Sequence, residues 1–128
     1  MMDARLEAEL KLLRTRFPDL EFHEAGRWVL LPGYPISPGW SAERIPIAFQ
    51  VQPGHPATPP YAFAVPDGLV FNGTVPGNST VPASVPFPGS WRQISWSPES
   101  WTPTADPQRG SNLVQWAIGF IQRFREGA

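Results

Sequence analysis

Leu6, Leu10, Leu13 and Phe17 recur at three- and four-residue spacing among Arg, Glu and Lys, which is the signature of a helix with one apolar stripe. The spacing predicts a helix over 3–17, stopped by Pro18. Near the other end Leu113, Trp116, Ala117, Phe120, Ile121 and Phe124 trace a wider apolar face over 111–125, with Ser111 or Asn112 placed to cap it. Between these helices the period changes. Leu20 to His23, Arg27 to Leu31, Ile45 to Val51 and Tyr61 to Val65 are β-branched, aromatic and alternating, and predict four strands. Ile45, Ile47, Phe49 and Val51 fall on one strand face. Glu24-Ala-Gly26 is short enough for a hairpin, and strands without intervening helices predict an antiparallel meander over 20–65. The order predicts an α+β fold with the first helix laid across one sheet face.

Proline sharpens this division. All seventeen prolines lie between Pro18 and Pro107, so the ends are open to helices and the middle is closed to long ones. The stretch 66–107 reads as a long irregular region, rich in Pro, Gly, Ser and Thr at first, with scattered Val and Phe available to tack it down. Asn72-Gly73 reads as a turn. Asn72-Gly-Thr74 and Asn78-Ser-Thr80 match the glycosylation pattern, but without a signal segment they read as a turn and loop filler.

Composition narrows function mainly by exclusion. The length of 128 residues suits one domain. Ten Lys+Arg against eleven Asp+Glu leave no basic excess for nucleic acid or an acidic membrane. The absence of cysteine removes disulfides, thiolate chemistry and Cys-containing zinc sites. Neither a signal h-region nor a spanning apolar run is present, so the expectation is a cytoplasmic protein without a membrane partner, and no motif points to a metal or cofactor.

Three segments carry a family resemblance. Arg27-Trp-Val-Leu-Leu-Pro-Gly33, Ile45-Pro-Ile-Ala-Phe-Gln-Val51 and Gly54-His-Pro-Ala-Thr-Pro-Pro60 resemble the core of the ubiquitin-conjugating enzymes, in which a strand meander leads into Tyr-Pro-x-x-Pro-Pro and a fourth strand. His55 stands in the tyrosine's place, while Pro56, Pro59 and Pro60 keep register. Downstream, Ile94-Ser-Trp96 and Trp101-Thr-Pro103 resemble the active-site Ile-Cys-Leu and the Trp-x-Pro that follows it. The likeness runs roughly from Leu6 to Phe124 and is strongest to the divergent bacterial branch. It implies a UBC-like fold, with 66–107 as its active-site loop region and 111–125 as its crossover helix. It also implies a ubiquitin-like modifier, an activating enzyme and a target lysine as partners, in a bacterial conjugation pathway plausible in antiviral defence. Under it Ser95 takes the nucleophile's position, with Ser97 as second choice, and Arg5, Lys11 and Arg14 on the first helix become contacts for the activating enzyme. The family's His-Pro-Asn is missing, and neither Asn72 nor Asn78 has its spacing.

Serine changes the chemistry. A hydroxyl is a weak nucleophile without a base or preorganised donors, and an oxyester is a poorer acyl donor than a thioester. An activated adenylate still makes acylation of Ser95 conceivable, with discharge the step most in need of help. The alternative is a small residue tolerated in a binding fold derived from an enzyme, a noncatalytic module that holds a ubiquitin-like protein or scaffolds an active complex. Ser90 and Ser100 read as loop residues. His23 and His55 lack a carboxylate at a diagnostic spacing and read as packed or surface imidazoles rather than bases. Asp106 is placed either to orient the incoming lysine or to cap the last helix. Trp91, Trp96, Trp101 and Trp116 read as packing anchors before a stacking platform, since the chain lacks the basic groove that accompanies stacking on single strands.

Overall fold

The computed structural model describes residues 4–76, 79–80, 85–96 and 100–125. Helix α1 (Ala4–Arg16) is followed by strands β1 (Glu21–His23), β2 (Trp28–Pro35), β3 (Arg44–Gln50), β4 (Phe63–Pro66), β5 (Ser79–Thr80) and β6 (Trp91–Ile94), and the chain closes on helix α2 (Leu113–Arg125). The strands form one antiparallel sheet in the order β1-β2-β3-β4-β6-β5. The first four are sequential neighbours, as the hairpin connections require.

The architecture is α+β, with two helices on one face of the sheet. Val29 and Leu31 of β2, Ile45, Ile47 and Phe49 of β3, and Phe63 and Val65 of β4 point to that face at every second residue. They meet Leu6, Leu10 and Leu13 of α1 and Leu113, Trp116, Ala117, Phe120 and Phe124 of α2 in one core. Burying each large side chain there contributes about 1.5–3 kcal/mol. Phe63 and Phe120 stack with centroids 4.3 Å apart, and the Tyr34 hydroxyl donates to the Ala117 carbonyl at 2.5 Å. Trp40 donates its indole N–H to the Phe124 carbonyl at 2.8 Å, tying the far end of α2 to the loop after β2.

Two differences from the sequence pattern matter. Region 66–107 is not irregular throughout, because β6 pairs with β4 and carries β5 on its other side. Residues of the preceding loop then fold over the back of the sheet, where Phe87 and Trp91 pack with Ala48 and Ala64. The fourth strand also begins at Phe63 rather than Tyr61. Ala62 has φ +66°, a left-handed conformation that interrupts an extended strand.

The turns follow the local chemistry. Phe71 and Thr74 exchange both backbone hydrogen bonds at 2.9 Å around Asn72 (φ +49°) and Gly73 (φ +80°), a two-residue hairpin of the kind Asn-Gly favours. Of the two caps the pattern allows, Asn112 is the one used for α2, its Oδ1 accepting from the Gln115 N–H at 2.8 Å.

Candidate functional site

The segment between β3 and β4 turns sharply at Gly54, where a Cβ would collide with the Thr58 side chain. The adjacent Pro59 and Pro60 have no N–H to offer a ladder, so pairing stops and the chain forms a corner. The His55 side chain points inward and is 1% exposed. Its Nε2 lies 2.7 Å from Oε2 of Glu9, a carboxylate on α1 that is itself 0% exposed.

Glu9 is the centre of a buried cluster. Its Oε2 also accepts from Arg5 Nε at 2.6 Å, and its Oε1 accepts from the backbone N–H of Leu113 at 2.7 Å, one of the unpaired donors at the start of α2. Arg5 Nη1 donates onward to the Thr104 carbonyl. Burial alone would push the Glu9 carboxyl up. The hydrogen bonds from His55, Arg5 and the Leu113 N–H outweigh it and hold the carboxyl below its ordinary range. An ionised carboxylate only accepts, so His55 Nε2 carries the hydrogen. His55 Nδ1 is buried with no hydrogen-bond partner among the described residues.

The two motif segments meet beside this cluster. Trp101 donates its indole N–H to the Pro56 carbonyl at 2.7 Å, and its ring lies 6.4 Å from His55 between centroids. The proline corner and the Trp101-Thr-Pro103 turn are therefore held together by a direct bond, across 45 residues of sequence.

Ser95 is the first residue beyond β6. Ile94 before it is fully buried and pairs with Phe63. After it, the Trp96 carbonyl accepts from the Ala62 N–H at 2.7 Å, and the Trp96 ring stacks on Trp116 at 4.9 Å and 11°. Its backbone is thus fixed on both sides, and its side chain is half-buried. No described residue hydrogen-bonds to the Ser95 hydroxyl. Ser97 lies outside the described residues.

Other residues singled out by sequence fall differently. Arg5 is spent inward on Glu9 and Thr104, whereas Lys11 and Arg14 are exposed on α1. Asp106 caps its own turn, accepting from the Gln108 N–H at 2.9 Å, and does not cap α2. Asn72 is committed to its hairpin, where its N–H donates to the Gly39 carbonyl at 2.7 Å, and Asn78 lies outside the described residues. His23 is exposed on β1 and rests on Phe87, with centroids 4.6 Å apart. His55 is packed, and its carboxylate partner comes from α1, 46 residues away, a separation at which no local spacing could point to it.

A cleft of about 570 Å³ opens next to this segment, lined by Trp96, Ser100, Trp101, Gln115, Trp116 and Arg123 among others. The Arg123 guanidinium carbon sits 5.8 Å from the Trp96 ring centroid. Among the described residues no group of three His, Asp or Glu side chains could hold a metal ion, and no helix is long and apolar enough to cross a membrane. No protein-family model matches the chain, and neither curated proteins nor solved structures give a match.

Proposed function

We propose that this chain is a conjugating-enzyme-like domain that accepts a ubiquitin-like modifier from an activating enzyme at Ser95 and passes it to a lysine amine. The observation that carries the reading is the Trp101 to Pro56 hydrogen bond, which joins the two short motifs on which the resemblance rests. In the first step Ser95 Oγ attacks the activated carboxyl carbon of the modifier, and the activating group leaves and takes up the hydroxyl proton. In the second the lysine nitrogen attacks the oxyester, the serine oxygen leaves and takes up a proton, and an amide remains. Lys11 and Arg14 on the exposed face of α1 are the contacts proposed for the activating enzyme.

A second reading rests on a specific observation. His55 is occupied by Glu9, His23 lies on β1 towards the opposite edge of the sheet, and no described residue hydrogen-bonds to the Ser95 hydroxyl. That arrangement suits a noncatalytic module of the same fold that binds a ubiquitin-like protein or scaffolds an active conjugating complex.

Incubation with a candidate activating enzyme, its modifier and ATP, followed by mass analysis, separates the two. Acyl transfer predicts an adduct removed by hydroxylamine or mild base and absent in Ser95→Ala. With the Ser95→Cys variant the same reading predicts an adduct that thiols cleave as well. Retention of the modifier without any covalent adduct in all three proteins would establish the noncatalytic reading in its place.

A further inference from the structure

We draw no further inference here: the strongest candidate, the tryptophan-lined cleft of about 570 Å³ between α2 and the segments around Trp96 and Trp101, carries nothing because its indole, hydroxyl and amide lining fits several ligand chemistries and nothing in the structure shows what covers it.

Discussion

Glu9 shows how one side chain can sit against its local context and still be fixed by the fold. On α1 it belongs to the apolar stripe, three residues after Leu6 and four before Leu13, so its charge must be met inside the protein. Glu9→Gln keeps the shape but sets an amide NH₂ among donors. The expected loss is about 2–4 kcal/mol at neutral pH, read from urea unfolding. The pH dependence follows from the lowered carboxyl. The stabilisation is complete above the unfolded value near 4.5 and disappears as pH falls through the lower folded value, so the wild type should lose this increment in acid and the variant should not. Neither this charge nor its partners was read from the sequence, where Glu9 passes as one of the polar residues among the leucines and His55 and Leu113 are distant along the chain. Gly119 gives a second test at this scale. Glycine normally weakens a helix by about 1 kcal/mol relative to alanine, yet a Cβ here would lie 2.7 Å from Trp96 Cη2. Gly119→Ala should therefore lower the thermal midpoint instead of raising it, with a cost of about 1–3 kcal/mol from overpacking.

Among the elements, those whose large apolar side chains share one face were readable. β3 sends Ile45, Ile47 and Phe49 towards the helices and only the small Ala48 to the back of the sheet, and α1 buries Leu6, Leu10 and Leu13, so a simple period survives in each. β6 was hidden because both of its faces are covered. Trp91 packs on the back of the sheet and Ile94 in the helix-side core, which leaves two apolar residues separated by Arg92 and Gln93 and no clear alternation. β5, only two residues long, has no pattern to read. The late start of β4 was invisible for another reason: alanine gives no hint of a left-handed backbone, unlike the Asn72-Gly73 turn, whose residues announce it. Ala62→Gly should relieve that conformation while keeping the N–H that donates to Trp96. A gain of about 0.5–1 kcal/mol in chemical denaturation is expected, and a loss of that size would show that the alanine methyl contributes more through packing than it costs in strain.

For the whole molecule, the order of the first four strands and the place of the first helix on one sheet face followed from patterning, while the addition of β6 and β5 beyond β4 and the contact of the proline corner with Trp101 did not. Sequence spacing contains no term for a contact between residues 56 and 101. Trp101→Phe retains an aromatic ring but removes the donor to Pro56, leaving a partly buried carbonyl without that partner. It should cost about 1 kcal/mol in stability, and the proposed acyl transfer predicts a larger fractional fall in adduct yield than in the folded population, measured side by side. The Leu113 N–H and the Glu9 carboxylate add a constraint of a different kind, because they lie 104 positions apart. Closing so long a loop is entropically costly, and contacts of this separation form late. During synthesis the amino-terminal helix must wait with its acid only partly neutralised until the last helix emerges from the ribosome, so premature termination anywhere upstream of residue 113 would release a chain whose carboxylate has lost at least one of its donors.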